Sequence, residues 1–201
     1  MARCYSDCVP IRHPSPLAEL PDTWLVTDKR NDEWLEAAMK SLPRGSGLIF
    51  RHYHLDGTAR RSRFRHLARM ARRLGHVIVL SGEMRQARRW GADGAYGAPG
   101  TLAKGARGMR LVTAHSLREI AQAHRARADA ILLSPVFPTR SHPKARSLGP
   151  LRFRLLAAYA NVPVIALGGM TRRRSLAIGW KKWATIDGIY GQASPWIPKD
   201  S

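Results

Sequence analysis

The chain has 201 residues, of which 44% are hydrophobic, so it can bury the core of one domain but is short for two full domains. No stretch approaches the roughly 18 to 20 uncharged apolar residues that a membrane-spanning helix needs, and we expect a soluble protein. The 34 lysines and arginines outnumber the 14 aspartates and glutamates and give a formal charge of +20, which favours anionic partners without identifying them.

The first residues predict a leader rather than part of the folded domain. Residues 1–16 carry charges and have no apolar segment of the kind found in secretory signals, which indicates a cytoplasmic protein. Cys4 and Cys8 are too few ligands for a closed zinc site, so we interpret them as free thiols. We predict a loosely ordered leader over residues 1–22 and one folded domain over residues 23–201.

Short apolar runs then recur along the chain, as expected of parallel strands that are buried on both faces. Helix-like segments lie between them, with apolar residues three and four positions apart around residues 34–42, 64–74, 117–124 and 151–159. Ser116 and Glu119 form a capping-box pattern, and Thr171 precedes the last long helix. The eight predicted strands span residues 24–28, 47–53, 76–81, 93–98, 110–116, 128–136, 162–170 and 187–193.

An eightfold repeat of strand and helix predicts an α/β fold, a single (β/α)8 TIM barrel. The alternative is an open dinucleotide-binding sheet, which would need a glycine-rich turn after the first strand, and no glycine follows residues 24–28 there. In such a barrel, functional residues lie where strands end and loops begin.

Small residues follow the last two predicted strands. Gly168 and Gly169 precede a predicted helix, and Gly191, Gln192 and Ala193 end the eighth strand. Glycines let a ligand approach the backbone, and amides at the start of a helix attract anions. Because the loops after strands seven and eight often bind phosphate in barrels, we predict a phosphate site here.

The loop after the sixth strand carries prolines and hydrogen-bond donors. Pro135, Pro138 and Pro143 stiffen it. Thr139, Ser141 and His142 provide groups suited to a phosphate or diphosphate, although a proline-rich surface turn is the simpler alternative.

Arginines are dense over residues 60–89 and have helical spacing there. Such a pattern is more typical of a solvated outer face than of a nucleic-acid site, and no aromatic residues interleave with the densest run to stack on bases. A nucleic-acid partner is therefore not expected, but a non-enzymatic binder of nucleic acid or another polyanion stays open as a third class of function.

Four segments resemble the thiamine-phosphate synthase family. They are Trp24-Leu25-Val26-Thr27-Asp28, Thr113-Ala114-His115-Ser116, residues 128–139 with their Ser134-Pro135-Val136-Phe137-Pro138-Thr139 ending, and residues 162–170 with their Ala166-Leu167-Gly168-Gly169 ending. The resemblance covers about residues 23–194 and is most specific over residues 110–170. Its order and spacing agree with the eight-strand prediction.

The resemblance implies a transferase that joins a pyrimidinylmethyl diphosphate to a thiazole phosphate and releases pyrophosphate, with magnesium as cofactor. It implies that Arg51 and the hydroxyls of Thr139 and Ser141 hold the diphosphate. The thiazole phosphate would bind at Gly168, Gly169 and the turn of Gly191, Gln192 and Ala193. Thr113 and His142 complete the predicted substrate-binding residues, and a homo-oligomer stays open.

The chain departs from the family at the positions that hold the metal and the diphosphate. Tyr53 and His142 replace lysines, Ser81-Gly82 replaces an Asn-Asp pair, and Tyr96 begins a segment without the family's acidic residue. Both magnesium-binding carboxylates are thus replaced, so we predict no metal ligand, although Glu83 lies near enough in sequence to substitute.

These departures favour a second candidate, the thiazole tautomerase branch of the same family or a catalytically reduced thiazole-phosphate-binding homologue. That branch moves a proton and needs no metal to hold a diphosphate. His115 matches its acid-base histidine, and histidine titrates near neutrality. His115 and Arg51 are the predicted catalytic residues, while a purely structural His115 is the simpler alternative.

Overall fold

Eight parallel strands close into a barrel in the computed structural model, which describes residues 20–105, 108–139 and 146–189. Strands that are consecutive in sequence are neighbours in the barrel, and β1 pairs with β8 through Thr23 and Trp183 to close the ring. The predicted (β/α)8 barrel is confirmed. The strands are β1 (Thr23–Val26), β2 (Gly47–Phe50), β3 (Val77–Ser81), β4 (Gly94–Gly97), β5 (Met109–Ala114), β6 (Ala130–Leu133), β7 (Val164–Ala166) and β8 (Trp183–Thr185).

Helices follow the strands, and several of them begin at residues that cap the first turn. Asp56 caps α2, Ser116 caps α5 and Thr171 caps α7, each accepting a hydrogen bond from an amide in the first turn. Gly75, at φ 73°, ends α2 in the left-handed conformation. The helices are a 3-10 helix (Lys29–Trp34), α1 (Leu35–Ser41), α2 (Gly57–Leu74), α3 (Met84–Trp90), α4 (Pro99–Leu102), α5 (Leu117–Arg125), α6 (Gly149–Ala157) and α7 (Arg172–Ala177).

Alternate strand residues form two separate apolar layers, because successive side chains in a strand point to opposite faces. One layer fills the barrel interior and includes Trp24, Ile49, Leu111 and Ile165. The other lies between the strands and the helices and includes Phe50 and Phe64. No helix in the described part of the chain is long and apolar enough to cross a membrane.

Inside the barrel, the indole of Trp24 occupies the space above Gly47. A methyl group on Gly47 would lie 2.1 Å from a ring carbon of Trp24, which is fully buried. We therefore expect Gly47→Ala to lower the free energy of unfolding by about 1 to 3 kcal/mol through overpacking. Urea denaturation of this variant beside Gly57→Ala, whose added methyl group meets nothing within 4 Å, checks this, and equal stability of the two variants would contradict it.

The eighth strand lies upstream of its predicted position. It spans Trp183–Thr185 rather than residues 187–193, and α7 is shorter than the long helix that was predicted. Trp183 pairs with both Thr23 and Ala166, so this segment completes the ring. Lys181 and Lys182 interrupt the apolar pattern just before Trp183, and for this reason the sequence pattern did not predict the strand.

Helix α6 buries only part of the face that its apolar spacing predicts. Of the four residues with this spacing, Leu156 is buried, whereas Leu151, Leu155 and Tyr159 are 73%, 60% and 67% exposed. Phe153 is buried as well, with its ring perpendicular to that of Trp180 at 4.9 Å. An aromatic pair therefore fixes the orientation of this helix.

The segment Leu20–Asp22 contacts the end of the barrel where the strands begin. The indole nitrogen of Trp24 donates to the carbonyl of Pro21, and Lys182 donates to the carbonyl of Leu20 and the carboxylate of Asp22. The predicted boundary between leader and barrel at residues 22 and 23 stays a prediction.

Candidate functional site

The carboxyl ends of the eight strands surround a polar mouth. In five strands, an inward-facing apolar residue is followed two positions later by an inward-facing polar residue. The pairs are Val26 and Asp28, Ile49 and Arg51, Val79 and Ser81, Leu111 and Thr113 (with His115 two positions further on), and Leu132 and Ser134. Apolar residues fill the barrel below, so the groups available for chemistry lie in this mouth.

Arg51 places a positive charge on the β2 side of the mouth. It is half-buried, its guanidinium carbon lies 5.4 Å from the centre of the Tyr53 ring, and its side chain has no ion pair with a described residue. The Tyr53 hydroxyl forms a hydrogen bond with the hydroxyl of Ser81. Burial raises the pKa of neighbouring Tyr96 to about 12, and the Arg51 charge offsets this only in part, so Tyr96 is a neutral phenol. A cation beside neutral hydroxyls is suited to an anionic substrate group.

A buried hydrogen-bond chain holds the backbone of Arg51 from behind. The amide of Arg51 donates to Oγ1 of Thr27 (2.9 Å), and the same hydroxyl bonds Nδ1 of His52 (2.7 Å). Nε2 of His52 bonds Asp32 (2.8 Å), which is also paired with Arg63. His52 adopts an unusual φ of 36°, and its ring stacks on Phe50 at 4.6 Å. This hydrogen-bond chain fixes the direction of Arg51, and His52 faces the helices.

Stability should depend on the neutral state of His52. Burial lowers its pKa from the ordinary 6.5, and the hydrogen bond to Asp32 reverses this only in part. Because the unfolded chain takes up a proton near pH 6.5 and the folded chain does so only at lower pH, the stability from this group is complete above pH 6.5 and is lost as the pH falls below it. We expect the free energy of unfolding to fall more in the wild type than in His52→Gln between pH 7.5 and 5.5. Urea denaturation at both pH values tests this, and parallel losses would contradict it.

His115 is oriented by the ends of two strands. Its Nδ1 lies 2.7 Å from the carbonyl of Ser134, so it carries the proton and donates, and Nε2 is left as an acceptor. The carboxylate of Glu119, predicted to form a capping box with Ser116, instead accepts a hydrogen bond from the amide of His115 at 2.7 Å. His115 is exposed at the mouth, so its Nε2 can accept a proton from a ligand bound there.

The loop after β6 packs directly on the glycine turn after β7. The amide of Phe137 donates to the carbonyl of Gly168 (3.0 Å), and a Cβ on Gly169 would lie 2.4 Å from the carbonyl oxygen of Pro138. Both glycines have positive φ, at 93° and 59°. Close backbone contact therefore requires glycine at both positions. The amides of Gly168, Gly169 and Met170 have no hydrogen-bond partner among the described residues, so they are available to an anion.

The turn after β8 touches the turn after β7. A Cβ on Gly188 would lie 2.3 Å from the carbonyl oxygen of Met170 and 3.2 Å from Cα of Thr171. Asn31 joins this turn to β1, because its amide nitrogen donates to the carbonyls of Val26 and Ile186. The glycine at the junction of the two turns is thus Gly188, which the sequence reading missed because it placed β8 too late in the chain.

Two carboxylates at this edge are held by one arginine. Arg30 contacts Asp28 at 2.9 Å and Asp187 at 3.7 Å. Partial burial would raise the pKa of Asp28, but hydrogen bonds from Arg30 and the charge of Arg51 lower it below the ordinary value. Asp28 is therefore ionised, and Arg30 offsets negative charge that would otherwise repel a phosphate.

Magnesium does not fit the described mouth well. It prefers oxygen ligands in open octahedral geometry, whereas Asp28 and Asp187 are already held by Arg30, and Glu83 is exposed at the start of α3. Asp32, His52 and His54 bring ligand atoms within 4.8 Å of one another. Both nitrogens of His52 have partners, however, and Arg63 shares the carboxylate of Asp32, so this cluster is better explained by its hydrogen bonds.

The structure places only part of the predicted site. Thr113 lies on the inward face of β5, with its hydroxyl 3.4 Å from the carbonyl of Gly97. Thr139 directly follows Pro138, whose carbonyl oxygen lies against Gly169. Arg51, His115, Gly168 and Gly169 lie at the mouth as described above. Their roles stay predictions. Ser141, His142, Gly191, Gln192 and Ala193 lie outside the described residues, as do Cys4 and Cys8.

Comparison with known proteins gives a consistent family. The family model described as "Thiamine monophosphate synthase" matches residues 23–189. A protein of Aquifex aeolicus (strain VF5), named provisionally as thiamine-phosphate synthase 2, is 28% identical over 87% of this chain and 96% of its own. The thiamine-phosphate synthase of Bordetella bronchiseptica (strain ATCC BAA-588 / NCTC 13252 / RB50) is 30% identical over 80% of this chain and 79% of its own. The solved structure of a thiamine phosphate pyrophosphorylase from Pyrococcus furiosus shares the fold, with a TM-score of 0.68, 20% identity, and coverage of 83% of this chain and 85% of that one.

Proposed function

Because this chain belongs to the thiamine monophosphate synthase family, we propose that it transfers a pyrimidinylmethyl group from its diphosphate to a thiazole phosphate and releases pyrophosphate. The thiazole phosphate would bind at the turns after β7 and β8, and the diphosphate would bind beside Arg51. Both substrates are anions, in keeping with the formal charge of +20.

The observation that carries the proposal is the contact between the two turns. Gly188 lies against Met170, and the neighbouring amides of Gly168, Gly169 and Met170 have no partner among the described residues. Unpartnered main-chain donors at the C-terminal end of a closed barrel are suited to one phosphoryl group.

In the proposed reaction, the bond between the pyrimidinyl methylene carbon and the diphosphate oxygen breaks first. The diphosphate leaves with the electron pair, and the thiazole nitrogen then donates its lone pair to form the new carbon–nitrogen bond. Arg51 would stabilise the negative charge that grows on the leaving oxygen, and the hydroxyls of Tyr53 and Ser81 could donate to the same group. Because Tyr96 is neutral, it adds no repulsion to the anion.

The tautomerase alternative is retained because of one observation, that Nε2 of His115 has no hydrogen-bond partner in the described part of the chain. With Nδ1 donating to the carbonyl of Ser134, this nitrogen is a base that is already oriented toward the mouth. A bound thiazole phosphate could give up a proton to it and receive one at another ring position. This reaction needs no diphosphate and no metal.

Product analysis of wild type and His115→Gln separates the two reactions. With both substrates and magnesium supplied, we expect pyrophosphate from the wild type, and at most about a tenfold loss in His115→Gln, because this histidine has no required role in the transfer. No pyrophosphate, together with thiazole isomerisation that His115→Gln slows by about 10²-fold or more, would establish the tautomerase instead. Pyrophosphate is measured by a coupled assay and the tautomers by NMR.

A further inference from the structure

We propose that the outer surface of α2 and α3, which the sequence analysis interpreted as a solvated face, binds the phosphate backbone of double-stranded nucleic acid without regard to sequence. This surface, the arginine face, consists of seven exposed side chains: Arg61, Arg65, Arg69 and Arg73 of α2, and Arg85, Arg88 and Arg89 of α3. It lies outside the barrel and is separate from the site in the mouth.

The arginine face differs from the other arginines of the same helices. Arg60 donates to the carbonyls of Arg51 and Ser81, and Arg63 is paired with Asp32 and Glu36, so both have structural roles. No guanidinium of the arginine face has an ion pair or hydrogen bond with another described residue. Neither helix contains an acidic residue. Like charges four residues apart repel each other and oppose helix formation, and no acidic residue of α2 or α3 offsets this repulsion.

The two helices form one continuous surface. The ring of Phe64 lies 5.4 Å from that of Trp90, and Arg72 donates to the carbonyl of Gly91 at 2.6 Å, which joins the ends of α2 and α3. Arg85, Arg88 and Arg89 then line an open cleft of about 500 Å³ with Gly105. From Arg61 to Arg73 the row on α2 extends about 18 Å, and about five phosphates of one strand lie within this distance measured along the axis of a duplex.

The chemistry of the arginine face selects among polyanions. An anionic membrane is disfavoured, because an interfacial helix also needs an exposed apolar face, and no large apolar side chain is exposed on α2 or α3. A protein interface usually buries an apolar core, which this face does not offer. Single strands are bound largely by stacking on exposed aromatic rings, which this face also lacks. Guanidinium groups without aromatic residues fit the duplex backbone, which is recognised by charge.

Salt-dependent binding to a labelled random 24-base-pair duplex tests the proposal with the full chain. If all seven arginines contact phosphates, the logarithm of the binding constant should fall with the logarithm of salt concentration with a slope of about −6, and a rise from 50 to 200 mM KCl should weaken binding by about 10³-fold or more. The triple variant Arg65→Gln, Arg69→Gln, Arg73→Gln should reduce the slope by about 2.7 and bind at least about tenfold more weakly at 50 mM KCl.

The matched control removes the same charge elsewhere. Arg118→Gln, Arg125→Gln, Arg152→Gln changes three exposed arginines of α5 and α6 and should leave the slope within about one unit of the wild type. Equal losses in both triple variants would overturn the proposal, because net charge alone would then explain binding. No duplex binding at 50 mM KCl, tighter binding to a single strand, or binding only to vesicles with anionic lipids would overturn it as well.

Discussion

Arg51→Gln is expected to reduce kcat for pyrophosphate release by about 10² to 10³-fold, equivalent to about 3 to 4 kcal/mol of transition-state stabilisation. The guanidinium lies in the mouth with no ion pair to a described residue, so its charge is available to the leaving diphosphate. Its loss should weaken the affinity for pyrophosphate itself, which isothermal titration calorimetry measures independently of turnover.

Arg51→Lys is the matched control for this result. It keeps the charge but loses the planar fork that suits two phosphate oxygens, so we expect an intermediate loss of about tenfold. The backbone of Arg51 is held by Thr27 and Arg60 in every variant, and the fold should therefore persist. Turnover of Arg51→Gln within threefold of the wild type would remove Arg51 from the proposed mechanism.

Gly169→Asp is expected to abolish measurable binding of thiazole phosphate. The substitution introduces a Cβ that would lie 2.4 Å from the carbonyl oxygen of Pro138, and it adds a negative charge beside amides that we assign to the phosphate. Two unit charges about 4 Å apart repel each other by about 4 kcal/mol near a protein surface, which corresponds to a loss of affinity of about 10²-fold or more.

Gly169→Asn separates charge from crowding in this experiment. Asparagine has the shape of aspartate and tolerates the φ of 59° at this position equally well, but it has no charge. We expect calorimetry to show binding to Gly169→Asn, weakened by the shared contact with Pro138, and at least about 100-fold weaker binding to Gly169→Asp. If the two variants bind equally, the phosphate does not approach this turn.

The barrel could be predicted from the sequence because its strands are buried on both faces, and most of them have uninterrupted apolar runs. Prediction failed where local pattern and tertiary contact disagree. Trp183 belongs to β8 despite the two lysines before it, since its pairing with Thr23 closes the ring. Leu151 and Leu155 have the spacing of a buried face but are exposed. The contact of Phe153 with Trp180 fixes the rotation of α6 so that these two leucines lie on its outer side.

The position of the site was predictable where it depends on the family pattern or on glycine. The resemblance pointed to Arg51, which lies at the mouth, and Gly168 and Gly169 lie where two loops meet. The pairing of Arg30 with Asp187 was not predictable, nor was the contact between Gly188 and Met170. Both contacts depend on the register of β8, which the sequence does not specify.

The amide of Gly169 provides the most direct test of the central claim, that unpartnered main-chain donors in adjoining turns bind one phosphoryl group. The sequence contains one Gly-Gly pair, so protein labelled with ¹³C-carbonyl and ¹⁵N glycine gives a single selected NMR signal, from the Gly168–Gly169 peptide. We predict that this signal shifts on titration with thiazole phosphate and does not shift with the dephosphorylated thiazole alcohol. An unmoved signal at thiazole-phosphate concentrations that calorimetry shows to be saturating would contradict the account.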